Sequence, residues 1–523
     1  MVSFLGSSFR TTIKSAVLFS SIFFLLNCDK NTDRSLSTHQ SPSSSKNDAK
    51  PVVPSRELLV RGVYHDLLLD PHAVQNADQS AFLRDVLEGL TAYDPQGKLI
   101  PAVAESWKTE DNKTWFFVLR EGAKWSTGEA VTAQDFVRSW QQLAQSQSQL
   151  KTYLAFLNVA NAKKVLKGEL PADKLGVEAI EDRILRIQLD KATPYLPHML
   201  AHIALLPRYA QPSNQFVGNG AYRLLNQHAN FIHLEKNPHY WAAQKVAFKR
   251  VDYQKLSENQ SIETLDLVQQ PKVIPDNTPY FPQNCTYFYE FNLRDPLLSK
   301  SAVRKAIVSM VSARDIVQQV APKMRPTTHV LPDAMQMEQD SVWEPVVVEQ
   351  VFEQYGVSEK QPLHLKITHD QQDIHPEVAQ RIVRMLSQSD MLRVTAEPVP
   401  WQTLLEKRIK GDFQMIRSGW CADYHEPSAF LNVFYSHSPD NKMFYANPKV
   451  DELLEKTLSS MNETERYRLY AELGQLLQTE NVVLPIFQYQ TPIWLHGSLN
   501  GYQRENATGI IYSKDLFRKV NVN

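Results

Sequence analysis

From about residue 57 onward, the chain alternates between patterns typical of strands and patterns typical of helices. The apolar run Leu58–Val63 predicts a first strand, and residues 114–120 are rich in the aromatic and β-branched side chains that favour another. Residues 82–90 predict a helix. In residues 184–189 apolar side chains alternate with polar ones, as in a half-buried strand. This mixture predicts an α/β protein with more than one lobe.

Polar residues just before apolar helical patterns predict where two further helices begin. Residues 132–135, Thr-Ala-Gln-Asp, fit a capping box, and apolar positions of helical spacing follow them. Residues 462–465 cap a helix that we expect to end near residue 478. Residues 482–487 predict a buried strand in which Pro485 indicates a bulge or an edge position. No short internal repeat accompanies these elements, so we do not expect a repeat architecture.

Length and charge narrow the functional classes. The 523 residues are 43% hydrophobic, which suffices for two or three domains of roughly 100–200 residues each. Lys and Arg number 56 and Asp and Glu number 57, and such a balance gives no support for nucleic-acid binding. The sequence contains no Gly-x-Ser-x-Gly elbow, no His-Glu-x-x-His helix and no phosphate loop. We therefore do not expect an enzyme, and we expect neither a metal nor a cofactor.

The amino terminus has the pattern of an export signal. Arg10 and Lys14 accompany the apolar run 16–26, which is shorter than the roughly 20 residues that span a bilayer. The segment Leu-Leu-Asn-Cys that ends at Cys28 resembles a bacterial lipobox, with Asn in place of the usual small residue before the cysteine. Ordinary cleavage nearby is the alternative. We expect a signal peptide over 1–28, a polar, flexible tether over 29–54 and a lipid anchor on the membrane.

Five segments resemble the oligopeptide-binding and dipeptide-binding lipoproteins of ABC importers, within the bacterial extracellular solute-binding proteins of family 5. They are residues 69–91, 101–107, 115–140, 217–241 and 419–427, in the order and spacing of that family. The resemblance implies a two-lobed periplasmic-binding-protein fold of type II that encloses its ligand between the lobes. It also implies a periplasmic, membrane-anchored monomer that binds short peptides and delivers them to ABC transporter permease subunits.

The resemblance also implies an arrangement of domains along the chain. Lobe one would comprise residues 55–91, 215–284 and 491–523. An added domain on lobe one would cover 92–214, and lobe two would cover 285–490.

The most specific of the five segments is Gly-Trp-Cys-Ala-Asp-Tyr-His-Glu-Pro, at residues 419–427. Its Asp423 resembles the family aspartate that pairs with the ammonium group of a bound peptide, whereas a lone aspartate in a loop is otherwise a turn residue. In the family, the positions of Cys285 and Cys421 form a disulfide; two buried free thiols are the alternative.

Other site residues are also implied by the resemblance. Arg417 and His375 match a family arginine and histidine that bind the peptide carboxylate, and a structural ion pair or a loop histidine is the alternative. A lysine that some members carry nearby has no counterpart in the apolar segment 306–311. Trp401 and Trp420 match family residues that wall the pockets for peptide side chains, and core packing is the alternative for each. Tyr153 is a further candidate for these walls, and Cys421 and Tyr424 belong to the same expected set of peptide-binding residues.

Alternatives within the same fold remain open at this point. Relatives in the superfamily carry cell-wall peptides, haem or metal chelates. An adhesin or signalling receptor that kept the fold is a third possibility. Asp423 argues against ligands that lack an ammonium group, but it does not separate free oligopeptides from cell-wall peptides.

Overall fold

The computed structural model describes residues 57–211, 213–337 and 346–519. The predicted signal peptide, the tether and Cys28 lie outside these residues. Over the described ranges, no helix is long and apolar enough to cross a membrane.

The bounds of the secondary-structure elements are as follows. The strands are β1 (Leu58–Val63), β2 (Thr91–Tyr93), β3 (Leu99–Pro101), β4 (Ala104–Thr109), β5 (Thr114–Leu119), β6 (Val177–Glu181), β7 (Ile184–Gln188), β8 (Tyr222–Gln227), β9 (Phe231–Lys236), β10 (Arg250–Lys255), β11 (Leu267–Gln269), β12 (Tyr280–Phe291), β13 (Arg325–Pro326), β14 (Leu363–Asp370), β15 (Leu392–Val399), β16 (Met415–Cys421), β17 (Val483–Leu495), β18 (Leu499–Asn500) and β19 (Phe517–Arg518). The α-helices are α1 (Ala77–Val86), α2 (Ala133–Gln145), α3 (Thr152–Phe156), α4 (Ala162–Leu166), α5 (Leu196–Met199), α6 (Ser301–Ser309), α7 (Ala313–Val320), α8 (Val348–Gln354), α9 (His375–Leu386), α10 (Trp401–Lys410), α11 (Ser428–Leu431), α12 (Pro448–Ser459) and α13 (Glu463–Thr479).

Most of the predicted elements are confirmed. The strands β1, β5 and β7 lie where the patterns place them, and α2 begins with the capping box of Thr132 and Asp135. Helix α13 starts after Asn462, whose side chain accepts the Glu465 backbone N–H at 3.1 Å. Pro485 lies beside a register shift between β12 and β17, as the predicted bulge requires.

The predicted bounds of the helix at 82–90 are wrong. Helix α1 begins earlier because the Asn76 side chain accepts the Gln79 backbone N–H at 3.0 Å and caps it. The chain turns extended at Leu87. The segment 218–220 packs against the end of the helix, since the Gly220 N–H donates to the Val86 carbonyl at 3.0 Å. The apolar run beyond Val86 is therefore core packing and not helix.

A large mixed sheet of 11 strands organises the molecule. Its strands follow the order β15-β14-β16-β12-β17-β11-β1-β10-β9-β8, and β13 pairs separately with β17. The long strands β12 and β17 run antiparallel between the two halves of this sheet. The predicted lobe boundaries at 284/285 and 490/491 fall within these two strands and stay predictions.

Separate hydrophobic cores lie on the two halves of the large sheet. The first core contains residues of β1 and β10 together with those of the four-stranded sheet β4-β5-β7-β6. On the other half, successive β12 side chains point to opposite faces, so Tyr287 and Phe288 belong to different cores. Helices α6, α7 and α9 cover the Tyr287 face, and α12 and α13 cover the Phe288 face.

Candidate functional site

Strand β16 is held at its end by a disulfide. Cys285 and Cys421 stand opposite each other in the antiparallel pair β12–β16 and form a bond with an Sγ–Sγ distance of 2.10 Å. The predicted pairing is therefore present. Directly after it, the Ala422 backbone N–H donates to the Asn284 carbonyl at 2.8 Å. Because the bond links positions 136 residues apart, chain entropy alone gives it on the order of 4–5 kcal/mol.

Asp423 follows immediately, and none of the residues that the structure describes is its partner. Among the described residues it makes neither a hydrogen bond nor an ion pair, and its side chain is exposed. Burial by the surrounding protein nevertheless raises the pKa of Asp423 to about 6, and the negative charge of Asp440 adds to this rise. The carboxylate therefore lies in a recess that is open to solvent and whose surroundings disfavour its charged form. Such a group gains from a cation that binds beside it.

The residues after Asp423 anchor it to the first core, which contains residues of β1, β10 and the four-stranded sheet. Tyr424 is buried and stacks on Tyr195, with ring centroids 5.3 Å apart and an interplanar angle of 7°. The His425 backbone N–H donates to the Tyr93 hydroxyl at 3.2 Å, and its ring Nδ1 lies 2.9 Å from the Asn284 amide. The predicted site residue Tyr424 thus packs in the core, where it positions the neighbouring carboxylate.

Glu426 completes this anchor and was not predicted. It is buried, and its Oε2 accepts the Ser428 backbone N–H at 2.7 Å, at the start of α11. The Ser428 hydroxyl lies 2.9 Å from the Tyr424 hydroxyl and also bonds to Glu426. Burial raises the pKa of Glu426. The Glu-Pro-Ser sequence was the available signal, because Pro is common where a helix begins and an acidic side chain is favourable beside the free backbone N–H groups there.

One edge of β16 is unpaired near Asp423. On one side β16 pairs with β12 from Met415 to Cys421. On the other side β14 pairs with it only at Met415 and Ile416. From residue 417 to residue 421 no described strand pairs with that edge, although β14 itself continues to Asp370. Its backbone N–H and C=O groups can therefore accept an added extended segment.

Arg417 and His375 come together in a buried cluster with Asp370, which was not predicted. His375 begins α9, and its Nδ1 lies 2.8 Å and 2.9 Å from the two carboxylate oxygens of Asp370 at the end of β14. The Arg417 Nη2 donates to His375 Nε2 at 2.7 Å, and Arg417 Nη1 lies 3.7 Å from Asp370. Burial raises the pKa of Asp370, but the hydrogen bond from His375 and the charge of Arg417 outweigh it and hold this pKa below its usual value.

The remaining predicted aromatic residues lie near Asp423 or near the cluster that contains Arg417. The Trp420 Nε1–H donates to the Ala429 carbonyl at 2.7 Å, and Trp401, at the start of α10, has its ring 5.6 Å from the guanidinium carbon of Arg417. Tyr153 is buried, and its hydroxyl donates to the Met199 carbonyl at 3.1 Å. Burial, and after it the charge of Asp423, raise the pKa of Tyr153 well above its usual value. Tyr153 is therefore a core residue whose ring lies within the electrostatic reach of Asp423.

No metal centre is evident at these places. Across the described ranges, no group of three His, Cys, Asp or Glu side chains is arranged to hold a metal ion. The arrangement offers an unpaired carboxylate, an open strand edge and a charge-paired arginine. These groups suit the recognition of a polar, extended ligand by hydrogen bonds and charge.

Comparison with known proteins identifies relatives over nearly the whole chain. The family of bacterial extracellular solute-binding proteins, family 5, matches residues 98–442. A putative binding protein of Haemophilus influenzae is 52% identical over 99% of both chains. The periplasmic oligopeptide-binding protein OppA of Salmonella typhimurium is 31% identical over 86% of this chain and 90% of its own length.

A solved structure shares the architecture. It is the unliganded open form of MppA, a periplasmic murein tripeptide-binding protein, and it superposes with a TM-score of 0.83. That structure is 28% identical and covers 89% of this chain and 98% of its own. The two-lobed fold implied by the five sequence segments is therefore confirmed. The chain belongs to the bacterial extracellular solute-binding proteins of family 5.

Proposed function

We propose that this protein binds short peptides outside the cytoplasmic membrane, between its two lobes, and delivers them to an ABC transporter permease. The observation that carries the proposal is the unpaired carboxylate of Asp423, next to the open edge of β16. The relatives named as oligopeptide-binding and murein tripeptide-binding proteins support the same ligand class.

An ammonium group is the ligand feature that Asp423 suits best. A protein that accepts many peptide sequences must bind what all peptides share: the backbone and the two charged ends. An enclosed ammonium needs a counter-charge, because burying an unpaired ion costs several kcal/mol. The Asp423 carboxylate is fixed from both sides, by the disulfide before it and by Tyr424 and Glu426 after it. A rigid anion of this kind fixes the direction in which the peptide binds but selects only weakly for the peptide sequence.

The peptide backbone would pair with the open edge of β16. An extended peptide that starts at Asp423 can run along residues 417–421, with its amides bonded to that edge as in strand addition. Its side chains would then project to either side, near Trp420 and Trp401. Side chains that stay partly hydrated relax sequence selectivity, because water can mediate their contacts. The carboxylate end of a peptide of suitable length would reach Arg417 and His375.

Export, anchoring and closure belong to the same proposal. The signal peptide would end at Cys28, which would carry the lipid, and residues 29–54 would tether the folded body to the membrane. The similarity to an unliganded open form fits a hinge at β12 and β17 that closes on the ligand. The lobes and the added domain would have the bounds predicted above. The protein would act as a monomer and would catalyse no reaction.

Native mass spectrometry of protein purified from the exported fraction without denaturation tests this proposal. We expect copurified masses that fragment as peptides of two to five residues. Peptides that contain cell-wall amino acids would show that the ligands are cell-wall peptides and not ordinary oligopeptides. Copurified haem or a metal chelate, with no peptide, would contradict the proposal.

A further inference from the structure

The cluster around Arg417 is a closed ring of three charged or titratable groups. An arginine guanidinium has only donors, so the Arg417 Nη2 donates and His375 Nε2 accepts across 2.7 Å. Since Nε2 carries no proton, the proton of the ring is on Nδ1, which donates to Asp370 at 2.8 Å. His375 is therefore neutral in the ligand-free protein. The surroundings agree with this, because burial and the charge of Arg417 together lower the pKa of His375 although Asp370 acts to raise it.

The net charge of this ring is already zero. Asp370 is fully buried and supplies one negative charge, and Arg417, at 4% exposure, supplies one positive charge. A ligand carboxylate at Arg417 would thus leave two carboxylates against one guanidinium and a neutral imidazole. An uncompensated buried charge of this kind is strongly unfavourable.

The groups around the ring do not supply the missing positive charge. On α10, Arg408 is engaged with Glu290 at 2.6 Å. Burial raises the pKa of the neighbouring tyrosines, which keeps them neutral. The titratable and charged groups that face the ring are Asp373 in the loop before α9, Tyr287 and Tyr289 on β12, Tyr489 on β17 and Arg408 on α10. A proton from solvent is the remaining source of positive charge.

Arg417 retains donors for a ligand. Its Nε has no hydrogen-bond partner among the described residues, and its Nη1 is 3.7 Å from Asp370, which is too far for a normal hydrogen bond. The side chains of Tyr287 and Tyr489 also interact with the guanidinium. If Nη2 also turns from His375 to the ligand, Nε2 of His375 loses its donor. That nitrogen then lies beside the incoming carboxylate and can take a proton to donate to it.

We propose that binding of a ligand carboxylate at Arg417 is coupled to the uptake of one proton from solvent at His375 Nε2. The imidazolium so formed then lies between the ligand carboxylate and Asp370. Asp370 is thereby a specificity-determining residue, because it stabilises the imidazolium that binds a free carboxylate. Binding of a carboxylate at this subsite therefore requires uptake of a proton from solvent. The inference rests on the proposed peptide binding and deepens it. The ring of four groups, two carboxylates with an imidazolium and a guanidinium, is again neutral.

Isothermal titration calorimetry tests the proton directly. Ligand-free protein is titrated at pH 7 with tri-, tetra- and penta-alanine and with the C-terminal amide of each. Each titration is run in phosphate and in Tris, because the difference in buffer ionisation heat gives the number of protons taken up. The acid and the amide carry the same amino group, so the difference between them reports the carboxylate end alone. Asp423 contributes equally to both.

For at least one length, we expect the acid to take up more than half a proton beyond its amide. Between pH 7 and pH 8 the affinity for that acid should fall up to tenfold relative to the amide, since each linked proton changes affinity up to tenfold per pH unit. The extra uptake should disappear in Asp370→Asn and in His375→Gln. Equal uptake by acid and amide at every length that binds would overturn the inference and leave peptide binding intact. Failure of all the peptides to bind would instead overturn the proposed function, and this inference with it.

Discussion

Replacement of Asp423 by asparagine removes the charge proposed to hold the ammonium group while it keeps the size of the side chain. The pKa of about 6 means that ionising Asp423 in its recess costs roughly 3 kcal/mol more than in water. A ligand ammonium can return this free energy by pairing with the carboxylate. Because the side chain is exposed in the open form, water screens the effect, and we take about half, ~1.5 kcal/mol, as the expected gain. Asp423→Asn should therefore weaken peptide binding at least about tenfold.

A thermodynamic cycle isolates the pair. Isothermal titration calorimetry would compare wild type and Asp423→Asn, each with a free tripeptide and with the same peptide acetylated at its amino terminus. Acetylation should cost wild type at least about tenfold in affinity and cost the variant little, because the interaction is already lost. Asp440→Asn is the matched control, since it removes a nearby carboxylate that is not proposed to bind the ligand. This control should change affinity by less than about threefold.

The proposed ammonium–Asp423 pair would be ruled out if the losses in affinity caused by acetylation and by Asp423→Asn were additive. If acetylation weakened the variant as much as wild type, the ammonium group would be bound elsewhere. Equal losses for Asp440→Asn and Asp423→Asn would show that the overall negative potential of the recess matters and the specific pair does not.

Three further predictions follow from the same structure. Breaking the disulfide with Cys285→Ser or Cys421→Ser should destabilise the protein by about 2–5 kcal/mol in chemical denaturation, and reduced wild type should match the variants. Gly218→Ala should lower the free energy of unfolding by at least about 1–3 kcal/mol, because the added Cβ would lie 2.0 Å from the backbone oxygen that ends α1, whereas Gly497→Ala meets nothing within 4 Å and should be neutral. Affinity for a C-terminally amidated peptide should fall about tenfold from pH 7 to pH 5, since Asp423 must be ionised to bind and its pKa is about 6; a flat profile would contradict this.

The local elements were predictable because their signals are local. The capping box at Thr132 and Asp135 fixes where α2 begins, and the proline in β17 does mark a bulge. The end of α1 was not predictable, because the segment 218–220 that packs there is more than a hundred residues away in sequence. An apolar run alone does not distinguish a helix from buried extended chain.

The candidate site was predictable where a motif is continuous, as at residues 419–427. Asp370 was missed because its partnership with Arg417 depends on the register of β14 against β16, which pairs Ile367 with Met415. Register is a property of the assembled sheet and leaves no local mark in the sequence. The stacking of Tyr424 on Tyr195 also left no local signal, because Tyr195 comes from a part of the chain predicted to lie in the added domain. The role of Tyr424 in peptide binding stays a prediction.

In the proposed function, the protein binds short peptides by their ammonium end at Asp423. The most direct test is calorimetric titration of ligand-free wild type with equimolar pools of random tripeptides, with and without amino-terminal acetylation. We expect saturable binding of the free pool and at least about tenfold weaker binding of the acetylated pool. Equal affinity for the two pools, or no binding of either, would contradict the claim.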